Sequence, residues 1–225
     1  MIRMFLIRHG QSTYNSAKES LQELEAVPGP DVVKTPCDVD PSLHDAALSE
    51  KGCQQARAVV APSVDVILVS PLTRALQTAS LLYPSRHNEF VVVPGATEFS
   101  AMCDLGRPAS TLQKEFPTVS ALSGLEEMWW AGDSSSHLSV DAFRENAVSE
   151  RMETFTNRLR KVMSDHITPL PDSVQAVALI AHHDTIAHFV SLHFGGLPEE
   201  YHMQNCEVME IAFDRKTLLK GGSQT

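Results

Sequence analysis

Met4-Phe5-Leu6-Ile7-Arg8-His9-Gly10 is the stretch that decides the fold. Its four apolar residues show no polar alternation, the pattern of a strand buried on both faces of a parallel sheet. Two basic side chains follow at once, and a glycine allows a tight turn. Beyond it, 12–24 reads as a helix. Residues 27–48 carry Pro28, Pro30, Pro36 and Pro41 with no steady period and read as a long loop. Ser49 caps a helix running to about residue 60, stopped by Pro62. Residues 64–69 form a second buried strand, and Ser70-Pro71 read as the N-cap and first turn of a helix over 71–82. Residues 90–93 are a third strand and 108–116 a helix. Trp129-Trp130 and Ser134-Ser135-Ser136 read as loop, and 140–165 as a long helix broken by Pro169 and Pro171. Residues 174–181 are a fourth buried strand, 184–194 a helix, 207–213 an edge strand and 220–225 a frayed tail. Strands alternating with helices predict an α/β fold, a mostly parallel central sheet with helices on both faces in three layers. One domain over 1–225 is expected, with irregular segments 27–48 and 95–138 near the ligand edge.

The chain has 225 residues, 43% of them hydrophobic and 20% charged, enough apolar content for a substantial core. Its 18 Lys and Arg against 28 Asp and Glu give a net charge of −10. That balance speaks against a nucleic-acid partner, whose binding rests on cationic contacts to phosphates. An anionic ligand would need local positive charge. Cys37, Cys53, Cys103 and Cys206 are widely spaced, with no C-x-x-C pair, and read as free thiols. No stretch reads as a signal peptide or membrane span, because His182, His183 and Asp184 interrupt the most apolar region. The expectation is a cytoplasmic protein with no membrane partner; its oligomeric state is not legible in the sequence.

Open parallel sheets bind ligands beyond the carboxyl ends of their strands. The first such end carries Arg8, His9, Gly10, Gln11, Ser12 and Asn15, followed by a helix whose free N–H groups and dipole favour an anion. A strand that merely surfaces, with Arg8 and His9 solvated, is the alternative. The second end runs Ser70-Pro71-Leu72-Thr73-Arg74. Helical side chains lean toward the N-terminus, so Arg74 would reach back over the strand end, where its planar fork suits phosphate oxygens. A surface arginine at a helix start is the competing reading. The third end is Ala181-His182-His183-Asp184. The spacing of His183, His188 and His193, five residues apart or about 140° around a helix, speaks against a shared metal-binding face. Two histidines and two arginines converging on one sheet edge point to phosphoryl transfer through a phosphohistidine.

Arg8-His9-Gly10 with Asn15 resembles the signature of the histidine phosphatase superfamily, also called phosphoglycerate mutase-like. Three further segments resemble that family in order: Leu48-Ser49-Glu50-Lys51-Gly52-Cys53-Gln54-Gln55-Ala56, Ser70-Pro71-Leu72-Thr73-Arg74-Ala75-Leu76-Gln77-Thr78-Ala79, and Ala181-His182-His183. Cys103-Asp104-Leu105-Gly106-Arg107-Pro108-Ala109-Ser110 resembles a eukaryotic phosphoglycerate mutase-like branch whose substrates are mostly unassigned. Ala181 departs from the family's small hydroxyl residue, and His183-Asp184 from its glycine-containing pair.

The resemblance implies His9 as nucleophile, and Arg8, Arg74 and His182 around the phosphate with Asn15 assisting. It implies Glu98 as the acid that protonates the leaving oxygen, with Asp104 as the other candidate. Gln11, Ser12, Arg107 and His183 complete the expected substrate contacts. The implied enzyme is a histidine acid phosphatase-like hydrolase. It would act on a small phosphorylated metabolite or other phosphomonoester, passing the phosphoryl group through His9 to water with neither metal nor cofactor. A cofactor-dependent phosphoglycerate mutase is one alternative; a catalytically weak phosphate-recognising binding module is another.

Overall fold

The structure, a computed structural model, describes residues 1–24, 36–99, 102–130, 152–197 and 201–214. Its elements run β1 (Ile2–Arg8), α1 (Thr13–Leu24), the single turn α2 (Pro36–Val39), α3 (Glu50–Ala58), β2 (Val66–Val69), α4 (Thr73–Leu82), β3 (Phe90–Val92), α5 (Ala109–Glu115), α6 (Met152–Val162), β4 (Ala176–Ala181), α7 (His183–Phe194) and β5 (Val208–Phe213). The five strands form one sheet in the order β3-β2-β4-β1-β5. β1 to β4 are mutually parallel where they pair, and β5 closes the β1 edge antiparallel.

The unbroken apolar runs are explained by the layers. In β1, Phe5 and Ile7 face one core with Ile67, Val69, Leu76 of α4, Leu112 of α5, Ala178 and Ile180. Met4 and Leu6 face the other, with Leu68, Val177, Leu179, Phe155 and Leu159 of α6 and Phe189 of α7. A strand with helices over both faces has no solvent side, so it needs apolar side chains at every position. Each fully buried Leu, Ile or Phe contributes about 1.5–3 kcal/mol.

Ser49 caps α3 as expected, its Oγ accepting from Gly52 N at 3.1 Å. The start of α4 differs from expectation. The helix begins at Thr73, two residues late, and Ser70 does not cap it. The cap is remote: the Asp45 carboxylate accepts from Thr73 N and from Thr73 Oγ1, each at 2.7 Å. Ser70 Oγ lies instead 2.8 Å from His182 Nε2, and Pro71 and Leu72 form a bend between β2 and α4. The expected loop falls partly on 25–35, the long helix partly on 131–151, and the tail on 215–225; those parts lie outside the described residues. From 152 onward the long helix is α6, continued by a π turn at Met163–Ile167. Among the described residues no helix is long and apolar enough to cross a membrane.

Candidate active site

Register brings the first residues beyond three strands side by side. Arg8 pairs with Ala181 and Val69 with Ile180. Beyond those pairs, His9 N donates to Ala181 O and Ser70 N to Ile180 O, both at 3.0 Å. The rings of His9 and His182 are 5.1 Å apart between centroids. The turn after His9 is seated on the start of α3 so closely that a Cβ at Gly52 would meet Gln11 O at 2.0 Å, which only glycine permits. Gly10 N donates to Thr78 Oγ1 at 3.0 Å, and Asn205 Nδ2 to His9 O at 3.0 Å. The backbone of residue 9 is thus held from three sides.

His9 is buried, and its protons can be assigned from its partners. Nδ1 lies 2.7 Å from Gly10 O, a carbonyl that can only accept, so Nδ1 carries the proton. Nε2 then holds the lone pair, which accepts from Arg74 Nε at 3.2 Å. Burial, then the Arg74 charge, pushes the His9 pKa well below the ordinary imidazole value, so the ring is neutral. Burial and then Arg74 keep His182 neutral in the same way. His182 Nε2 sits 2.8 Å from Ser70 Oγ, while Nδ1, also buried, has no hydrogen-bond partner among the described residues.

Arg74 is only 5% exposed. Burial opposes its charge, but Asp104, ion-paired to its Nη2, leads the effects that raise its pKa. The surface-arginine reading is therefore set aside. Asp104, the second acid candidate, is engaged as this counter-ion. Arg8 is half-buried, and its Nη1 donates to Met203 O at 2.5 Å. Burial lowers its pKa, while the charges of Glu98 and then Asp184 oppose the drop, so both acids lie within its field.

Glu98 stands where the loop after β3 meets the first turn of α7. Its Oε1 accepts from Phe99 N and Thr185 N, both at 3.0 Å, and Oε2 from Asp184 N at 3.3 Å. Burial first, then the negative charges of Asp184 and Asp104, push its pKa up to about 7. With two N–H groups at 3.0 Å on Oε1 and one at 3.3 Å on Oε2, the less engaged oxygen, and the one placed to hold a proton near neutrality, is Oε2.

Several expected contacts are engaged elsewhere. Gln11 Nε2 donates to Glu19 at 2.7 Å and its Oε1 accepts from Ser49 Oγ at 2.7 Å. Ser12 N and Oγ donate to Asn15 Oδ1 at 3.1 and 2.9 Å, a local cap for α1. Arg107 binds Asp45 at 3.2 Å, Glu115 at 2.7 Å and the Thr73 hydroxyl. The buried Asp45 carboxylate draws it there. His183 stacks near His202, with centroids 4.2 Å apart, at the start of α7. His188 stacks on Phe155 with centroids 5.2 Å apart. Among the described residues no group of three or more His, Cys, Asp or Glu side chains is placed to hold a metal ion.

The histidine phosphatase superfamily (branch 1) model matches residues 41–219, and the chain belongs to that family. The matched range begins after Arg8-His9-Gly10, so those residues are a second, separate point of likeness. Similar solved structures include the alpha-ribazole phosphatase of Shigella flexneri, at 18% identity over 96% of this chain and 92% of that one, TM-score 0.53. The ecdysone phosphate phosphatase of Bombix mori, in complex with tungstate, is 17% identical over 95% and 90%, TM-score 0.54. A mycobacterial glucosyl-3-phosphoglycerate phosphatase is 19% identical over 94% and 90%, TM-score 0.54. At these identities the likeness is one of fold. No curated protein sequence matches the chain.

Proposed function

We propose that this protein is a phosphomonoesterase that carries the phosphoryl group on His9 and then delivers it to water. The observation that carries the reading is the state of His9: neutral, protonated on Nδ1, with the Nε2 lone pair aimed at an arginine that a phosphate oxygen could take over. Family membership and phosphatases of the same fold support it. The substrate is a small phosphorylated metabolite or other phosphomonoester.

In the first half-reaction the Nε2 lone pair attacks phosphorus and the ester P–O bond breaks. Its electron pair leaves on the alkoxide oxygen, which takes the proton from Glu98 Oε2. Arg8 and Arg74 donate to the non-bridging oxygens, where charge must be matched throughout. With Ser70 donating to His182 Nε2, the His182 proton sits on Nδ1 and is available to a phosphate oxygen. In the second half-reaction Glu98 accepts a proton from water, the new oxygen bonds to phosphorus, and the N–P bond breaks, returning the lone pair to His9. The N–H groups of Phe99, Thr185 and Asp184 stabilise the Glu98 carboxylate between the two steps.

The test is to react the protein with radiolabelled p-nitrophenyl phosphate, quench in alkali, and map the label. Label on the peptide bearing His9, absent from His9→Ala, is expected. Label on another residue, or turnover in His9→Ala at the wild-type rate, would overturn the reading.

A further inference from the structure

The loop carrying Glu98 has little secondary structure of its own. It leaves β3 through the short 3-10 turn Pro94–Ala96 and then runs extended at Thr97. Carbonyls in such a segment lack ladder partners and must find donors elsewhere. Here one side chain of α6 supplies them. Arg158 Nη1 donates to Gly95 O at 2.9 Å and Thr97 O at 2.7 Å, and lies 3.1 Å from Thr97 Oγ1. Arg158 Nη2 donates to the carbonyl of Glu98 itself at 3.0 Å. One planar guanidinium therefore fixes the peptides on both sides of Glu98, through the carbonyls of Thr97 and Glu98.

The guanidinium is itself held in place. It lies over the Phe155 ring, 4.7 Å from its centroid. The same ring packs against Phe99, the residue after Glu98, at 4.9 Å. The loop presses on α6 so tightly that a Cβ at Gly95 would meet Val162 Cγ2 at 2.9 Å. Thr185 Oγ1 of α7 also donates to Thr97 O at 2.7 Å. Arg158 and Thr185 thus both hold the stretch from which the carboxyl group projects.

We infer that Arg158 is a positioning residue for general-acid chemistry, a clamp that sets the angle and depth at which Glu98 meets the leaving oxygen. The inference rests on the assignment of Glu98 as the proton donor proposed above. A misplacement of about 1 Å in a reacting group can cost about a hundredfold in rate. Lysine cannot replace the fork, because its single nitrogen does not span carbonyls on successive peptides.

The consequence is selective. Proton donation matters most when the leaving group is a poor one. Phenyl phosphate and p-nitrophenyl phosphate have nearly the same shape but differ in this need. For Glu98→Gln and Arg158→Ala we expect kcat/KM to fall about tenfold or more on phenyl phosphate and less than about threefold on p-nitrophenyl phosphate. Arg158→Lys should show the same selectivity, less strongly, and carries the test if the alanine variant does not fold. Adding Arg158→Ala to Glu98→Gln should cost little more than Glu98→Gln alone, because both act through one proton. If Glu98→Gln is selective while both Arg158 variants lose equally on the two esters, the clamp is overturned and the acid assignment stands. If Glu98→Gln is itself unselective, the acid assignment fails and the clamp falls with it.

Discussion

His9, Ser70 and His182 hang from three neighbouring strand ends, whereas Glu98 hangs from a loop. The first group is placed by backbone ladders: register alone puts Arg8 beside Ala181 and Val69 beside Ile180. It is almost dry, with His182 at 0% exposure. Glu98 is half-buried; its loop is placed by the side chains of Arg158, Thr185 and Phe99, and its carboxylate by N–H groups at the start of α7 and of Phe99. The two regions also tune protons in opposite directions. Burial among arginines holds the imidazoles neutral, whereas burial among carboxylates keeps the acid protonated to about pH 7. The proposed nucleophile and the proposed acid thus take compatible protonation states at one pH from one physical effect, burial, acting on groups of opposite charge type.

Breaking the first region should have the largest effect. His9→Ala is expected to lose at least about a thousandfold in turnover while its thermal melting stays near wild type. Turnover within tenfold of wild type would show that the strand-end group is not the reacting one.

Asp45→Ala tests how far the strand-end group depends on a part outside it. The substitution leaves Thr73 N, Thr73 Oγ1 and Arg107 without their shared carboxylate just before Arg74. A loss of about 3 kcal/mol in urea unfolding is expected, from the cap and the broken ion pair together. An unchanged midpoint would show that α4 is held without its remote cap.

The smallest effect sharpens the contrast. The Asp184 charge, second to burial, raises the Glu98 pKa. Asp184→Asn should lower it, so the acid loses its proton at a lower pH than in wild type. The basic limb of kcat on phenyl phosphate should move to lower pH. The acidic limb belongs to His9, held well below 6.5, and should not move. A basic limb that stays in place would remove Asp184 from the account.

The strand ends were legible because a two-sided buried strand writes an unbroken apolar run, and a basic residue at its end then stands out. Arg8, His9, Arg74 and His182 are singled out this way, and the family resemblance adds Glu98. The remainder depends on contacts that leave no local mark. Ser70-Pro71 satisfies the local rule for a helix cap, yet the buried His182 ring took Ser70 and Asp45 capped the helix instead. Asp45 itself, an acid in a proline-rich stretch, reads as solvated; its left-handed φ of 43° and its reach to Thr73 exist only in three dimensions. Arg107 reads as a weaker candidate for a substrate contact from its place in the mixed segment, and nothing in the sequence tells of the buried Asp45 carboxylate that it binds. Arg158 was passed over for a related reason. Its partners are backbone carbonyls, which every residue has.

The hydrogen bond from Arg74 to His9 also bears on chemical survival. A bare imidazole of this kind would be open to stray acylating or alkylating agents. Here the electron pair of the proposed nucleophile is sheathed by a guanidinium N–H. On that reading the same arginine would cover the lone pair at rest and turn to a phosphate oxyanion on its arrival.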